Sequence, residues 1–210
     1  MSAERPELAA LTVADPPEAW RAAGFTVEDE GARVGSVGLR LVGRDRGKHL
    51  LGWAWHGLPG TGPLDGIATM TATAGAAPAR EPATHANGVT LLDHVVVTTP
   101  DLDRTIAAFT ARGLDVRRVR HTDQYGPPFR QVFFRGGEVI LEVIGPDTPT
   151  GDAPARLYGL AFTVADLDAA AALLGDGLGR VKDAVQPGRR IATLRHRELG
   201  ISVPIALMTV

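Results

Sequence analysis

The sequence predicts an α+β fold of repeated βαβββ modules, two of them paired into a curved mixed sheet that forms a cup, with a divergent third module in front. Three observations carry this expectation. Residues 159–168 (GLAFTVADLD) align without a gap on 94–103 (HVVVTTPDLD), and 189–193 (RRIAT) align on 130–134 (RQVFF). A fainter copy of the same opening, LAALTVADPPEAW, occupies 8–20. The repeat spans about 55–60 residues, one supersecondary unit whose sheet needs a neighbour to cover its apolar face.

In chain order, the first module opens with a strand that runs to Asp15. Pro16 then stands at the first helical position and Glu18 follows three residues after the cap, a capping-box arrangement. The helix is expected to end at Gly24, with strands near 25–28, 34–42 and 49–56. Trp53 and Trp55 alternate around Ala54, so both face one side of a strand, where they are expected to cover an adjoining sheet or a subunit contact. The Pro-, Gly-, Ala- and Thr-rich stretch that follows lacks periodicity, which gives a module at 1–70, a linker at 71–87 and a paired domain at 88–210.

The second module opens with a strand rich in β-branched residues at 91–99. Asp101 caps a helix over about 102–112, which Gly113 ends. Strands follow at 114–120, 130–135 and 138–144, the last two joined at Gly136-Gly137. The third module repeats the strand, the cap at Asp166 and the helix, and closes with two strands in 189–208.

Composition narrows the function. Of 210 residues, 22 are basic and 24 acidic, so no global positive field exists to draw nucleic acid or an anionic membrane. There is no cysteine, so any metal must be held by nitrogen and oxygen ligands. No apolar run approaches the roughly 20 residues of a membrane span. Acidic residues and a proline stand where a secretory signal would have a basic end and an apolar run, so the chain is read as cytoplasmic. P-loop, Rossmann, HExxH and GxSxG signatures are absent.

The repeated βαβββ unit, with LLDHVVVTTPDLDRTIAAF at its opening and GGEVILEVIGP at its close, resembles the vicinal oxygen chelate superfamily, also called the glyoxalase/bleomycin resistance protein/dioxygenase superfamily. The resemblance covers 88–208 well and 8–58 faintly. It implies a small-molecule ligand in the cup. It also implies metal ligands on the first and last strand of each paired module, for a divalent Fe, Mn, Zn, Ni or Co ion with open positions for substrate. His94 and Glu142 match those positions in the second module, while the alignment places Gly159 and Ile205 opposite them in the third. Neither Gly159 nor Ile205 can bind a metal, and two protein ligands fall short of the three or more usual at a catalytic site.

The resemblance therefore implies either a metal-free cup that binds a small molecule, or a lyase, isomerase or dioxygenase acting on a carbonyl or enolate-forming substrate, with His94 and Glu142 as partial ligands. Glu142 lies within VILEVI, where a carboxylate must be paired, protonated or turned into the cup. Arg130 and Gln131, and likewise Arg189 and Arg190, sit where strands begin. Alternation sends one of each pair to each face, so an arginine in the cup would clamp an anionic or carbonyl-bearing ligand. Phe133 joins them as a candidate ligand contact. Tyr125, Phe129, Phe133 and Phe134 surround GPP at 126–128 and are read as core plus turn or as a lid over the cup mouth. An odd module leaves a sheet edge without an internal partner, which implies a homodimer.

Overall fold

The computed structural model describes residues 5–72, 83–122 and 128–210. Their elements are β1 (Glu7–Val13), α1 (Pro17–Ala22), β2 (Gly31–Val34), β3 (Val37–Leu41), β4 (Leu50–His56), β5 (Thr69–Thr71), β6 (Val89–Thr98), α2 (Leu102–Ala111), β7 (Val116–Thr122), β8 (Phe129–Gly136), β9 (Val139–Pro146), β10 (Arg156–Val164), α3 (Leu167–Leu174), β11 (Lys182–Asp183), β12 (Arg190–Thr193) and β13 (Ile205–Met208). They form one eight-stranded sheet, ordered β11-β12-β13-β10-β6-β9-β8-β7, and one five-stranded sheet, ordered β2-β3-β1-β4-β5. The fold is α+β, as the sequence predicts.

The eight-stranded sheet joins the two similar modules along their first strands, β6 and β10, which run antiparallel. In each module the last strand lies parallel to the first, β9 beside β6 and β13 beside β10. Local sequence explains the helices. Asp101 accepts a hydrogen bond from the Arg104 N–H at 3.0 Å, and Asp166 accepts from the N–H groups of Asp168 and Ala169 at 2.9 and 3.0 Å. Each carboxylate satisfies N–H donors that the helix itself leaves free.

The N-terminal module differs from its expected form in two ways. The first is its cap. Asp15 does not cap α1; it is fully buried, and its carboxylate accepts from Trp20 Nε1 at 3.3 Å and from the Ser202 N–H at 2.9 Å. Pro16 takes the N-cap position without a side-chain bond, and Pro17 begins the helix. The second difference lies in the strands. Residues 25–28 form none, the 34–42 run is divided by a turn at Gly35 (φ +57°) into β2 and β3, and β4 does not close the module. Instead β4 pairs antiparallel with β1, as β10 does with β6, and β5 runs parallel beside β4, as β13 does beside β10.

The helix-bearing faces of the two sheets meet in one continuous hydrophobic core. Trp53 of β4 packs edge-on against Phe109 of α2, with ring centroids 5.9 Å apart, and Trp20 of α1 packs edge-on against Phe162 of β10 at 6.4 Å. Trp55 lies so close to Gly136 that a Cβ there would stand 2.7 Å from the indole ring. The tryptophans of β4 thus cover an adjoining sheet of the same chain. Of the expected linker, residues 73–82 lie outside the described residues, while His85 and Asn87 are buried, and the Asn87 side-chain amide donates to the Ala23 carbonyl at 2.8 Å.

Candidate functional site

The other face of the eight-stranded sheet is open, and strand alternation decides what it carries. Along β9, Val139, Leu141 and Val143 are buried in the core while Ile140, Glu142 and Ile144 are turned to the opposite face. Along β6, Val95 and Val97 enter the core and His94 and Val96 do not. The β6–β10 register slips next to His94, because Ala161 pairs with His94 and Phe162 with Leu92. A bulge of this kind lets two consecutive residues, Asp93 and His94, share the open face.

These residues form a connected line across three strands, β8, β9 and β6, and on to Arg189 just before β12. The Gln131 side-chain amide donates to Glu142 Oε1, and Glu142 Oε2 stands 3.4 Å from His94 Nε2. His94 Nδ1 lies 2.9 Å from Asp93 Oδ2, and the other Asp93 oxygen accepts from Arg189 Nη2 at 2.8 Å. Arg189 Nε donates in turn to the Thr209 carbonyl at 2.7 Å. His94, Asp93 and Glu142 are 13–17% exposed at their side chains, so they meet solvent only across the cup. Burial pushes the Asp93 carboxyl up, but the hydrogen bonds from His94 and Arg189 outweigh it and hold the group down at about 2.

A charged Asp93 sets the state of the histidine. Its Oδ2 accepts from the His94 Nδ1–H, which leaves His94 Nε2 to face Glu142 Oε2 at 3.4 Å. A proton on Nε2 would be donated to Glu142, and in its absence a cation would fit between the two atoms. The pair can therefore hold a proton for transfer, or bind an electropositive atom of a ligand.

The structure brings His94, Glu142, Gln131 and Arg189 together, with Phe133 directly opposite Glu142 in the β8–β9 register. It does not bring Arg130 or Arg190 to them. Arg130 pairs with Asp103 of α2 at 2.8 Å and with Asp147 at 2.9 Å, and Arg190 pairs with Asp168 of α3 at 2.8 Å, all on the helix-bearing side. One of each pair faces the cup, as alternation requires. Tyr125 and the GPP turn lie outside the described residues, apart from Pro128.

Asp93 was not among the expected site residues. Alternation assigns it to the face opposite His94, and only the bulge reverses this. The third module's counterpart to Glu142 also shifts by one residue. Val96 neighbours Glu142, and the corresponding pair in the third module is Ala161 and Ala206. Ile205, 1% exposed, belongs to the core. A one-residue change of register moves a side chain to the other face, but alanine is no more able than isoleucine to bind a metal. Among the described residues no group of three or more His, Cys, Asp or Glu side chains is gathered for a metal ion.

Comparison with known proteins agrees with this architecture. A family model described as the Glyoxalase/Bleomycin resistance protein/Dioxygenase superfamily matches residues 93–193. A variant of 4-hydroxymandelate synthase from Streptomyces coelicolor aligns over 97% of this chain and 92% of its own, at 17% identity and a TM-score of 0.63. A xylose isomerase-like TIM barrel/4-hydroxyphenylpyruvate dioxygenase fusion protein aligns over 100% of this chain and 49% of its own, at 12% identity and a TM-score of 0.68. Methylmalonyl-CoA epimerase from Mycobacterium tuberculosis aligns over 58% of this chain and 89% of its own, at 23% identity and a TM-score of 0.46. A search of curated proteins returns no match. The two longer alignments extend the shared fold across both sheets, and the family model spans both paired modules from Asp93 to Thr193. Residues 93–193 are thus similar in sequence to that superfamily, and the repeated βαβββ topology agrees with the likeness.

Proposed function

We propose that the protein binds a small organic molecule in the cup of the eight-stranded sheet without a full four-ligand metal site. The supporting observation is an asymmetry within that sheet. His94 and Glu142 stand on one module, while their counterparts on the other, Gly159 and Ala206, carry no donor atoms on their side chains. The ligand would meet His94 Nε2 and Glu142 Oε2, with Phe133, Ile140 and Ile144 as apolar walls. A carbonyl compound that forms an enolate suits this set, because the His94–Glu142 pair can take and return a proton. Arg189 is committed to Asp93 and Thr209 and acts through them, holding Asp93 charged.

The contact between His94 Nε2 and Glu142 Oε2 also supports a second reading, in which a divalent cation (Fe, Mn, Zn, Ni or Co) sits between them. The residues present fit two positions of such a site and not four. Metal analysis of the purified protein, beside a His94→Ala, Glu142→Ala variant, separates the readings. Protein that takes up no metal under any loading supports the metal-free cup. Stoichiometric metal that disappears in the variant replaces it with the metal-dependent reading.

The homodimer belongs with this proposal. Among the described residues the longest strand at the margin of a sheet is β7, where Val116 and Val119 are 41% and 46% exposed, and a second copy would pair there. Arg117, Arg118 and Arg120 on the same strand oppose close pairing, so light scattering decides it.

A further inference from the structure

A second, unrelated cleft of about 380 Å3 opens where the N-terminal module meets the loop between β12 and β13, and Arg44, Lys48, His49 and Arg197 line it together with Ile201 and Ser202. We propose that this cleft binds the phosphate group of a small phosphorylated molecule. It shares no lining residue with the cup.

Charge is the first argument. The chain carries a net charge of −2, yet the titratable side chains lining this cleft are two arginines, a lysine and a histidine, with no acid among them. None of the three permanent cations has an ion-pair partner among the described residues. Glu198 lies next to Arg197 in sequence but faces Arg195 at 3.8 Å, and Asp45 does not line the cleft. The buried Asp15 beneath is committed to Trp20 Nε1 and the Ser202 N–H. Unpaired cations converging on one concavity raise the local concentration of anions.

Rigidity is the second argument. The loop from Gly43 to His49 turns through left-handed backbone at Gly43 (φ +79°) and again at His49 (φ +63°), a conformation a non-glycine residue holds only when its surroundings enforce it. Here they do. The His49 carbonyl accepts from the Ala14 N–H at 2.8 Å, its N–H donates to Ser202 Oγ at 3.0 Å, and Arg44 Nη2 donates to the Gly200 carbonyl at 2.7 Å. These bonds join residues from opposite ends of the chain and fix the cleft's two walls against each other. Arg44 is thereby held in place, while Lys48 and Arg197 remain for an anion. The volume exceeds what a bare phosphate fills and falls in the range of small-molecule sites, which points to a phosphorylated metabolite with an uncharged remainder beside Ile201.

Titration calorimetry of the full chain at low ionic strength, with ribose 5-phosphate, pyrophosphate and ribose as probes, tests the proposal. Ribose 5-phosphate and pyrophosphate are expected to bind saturably and ribose not to bind, and affinity is expected to fall as salt is raised. Lys48→Ala with Arg197→Ala is expected to weaken binding about tenfold, while Lys48→Arg with Arg197→Lys stays within about twofold of the parent. His94→Ala with Glu142→Ala is expected to leave phosphate binding unchanged. Ribose binding as well as its phosphate, or no saturable binding by either phosphate compound, would overturn the proposal. So would a folded Lys48→Ala, Arg197→Ala protein that binds like the parent. Loss of binding in the cup variant would relocate the anion to the cup and overturn it equally.

Discussion

The two sheets share a strand pattern and differ in what they display. Read from β2 to β5, the five-stranded sheet pairs antiparallel, parallel, antiparallel and parallel, and the run β8-β9-β6-β10-β13 of the eight-stranded sheet does the same. Placing Asp15 on Asp101 sets Ala10 on Val96. The strand neighbour of Val96 is Glu142, whereas that of Ala10 is Gly38, and Ala54 lies on the other side. The backbone plan is thus repeated, while the chemistry is confined to one copy. Pairing follows from the period-2 apolar pattern that fills the shared core, and a handful of open-face residues can change without disturbing it.

If the five-stranded sheet is chiefly a partner for the helix-bearing face of the other, breaking the seam between them should have the largest effect. Phe109→Ala removes a fully buried ring that Trp53 and Phe134 both touch, and should cost about 3–5 kcal/mol in denaturant unfolding. All three tryptophans lie in the N-terminal region, so indole fluorescence follows that sheet while far-ultraviolet circular dichroism follows both. Coincident transitions in the parent protein are expected from the single core. Separate transitions would show that the sheets fold independently and that 88–210 stands alone. Gly136→Ala probes the same seam from the other end. Its Cβ would press on the buried Trp55 ring, and about 1–3 kcal/mol of destabilisation is expected by the same measurements.

Much of this architecture is legible in the sequence because it rests on local signals. Asp101 and Asp166 each precede an apolar-periodic segment and cap it as expected, and the alternation in VILEVI sends Glu142 to the face that the flanking valines and leucine avoid. What was not legible depends on contacts distant in sequence. Asp15 carries the same cap signal, yet Trp20 and Ser202 claim its carboxylate. β4 reads as the closing strand of the first module, but the choice of neighbour is made by the core it must fill with Trp53 and Trp55. Asp93 escaped because a bulge cancels alternation at one position, and no composition signal marks that bulge.

A smaller effect separates the sheets by acid response. Asp93 is held at about 2 against an ordinary value of 3.8, so its contribution is fully present above 3.8 and is lost as pH falls toward 2. That contribution is about 2 kcal/mol from the shift. Asp93→Asn should therefore lower stability at neutral pH by about this amount and flatten the loss between 3.8 and 2. Denaturant midpoints measured through that window check it, and an unchanged acid slope would remove Asp93 as the residue that holds His94.

The mildest effect belongs to His85, which ties the segment before β6 to the five-stranded sheet. Its Nδ1 accepts from the Thr26 N–H at 3.0 Å, which leaves Nε2–H to donate to the Arg33 carbonyl at 3.0 Å. Protonation would place a second hydrogen against the Thr26 donor, within a site where the residue is 4% exposed. Burial lowers its pKa from the ordinary 6.5, against a small opposing pull from the Arg33 carbonyl. The unfolded chain therefore takes up the proton first, so stability is complete above 6.5 and declines as pH falls below it. His85→Gln should abolish that decline while leaving the lower Asp93 window intact. Because His85 clasps the N-terminal sheet, tryptophan fluorescence should record the shift in midpoint. If the substitution leaves the slope below 6.5 unchanged, another group on that sheet carries the acid response, and the division of pH sensitivity between the two sheets fails.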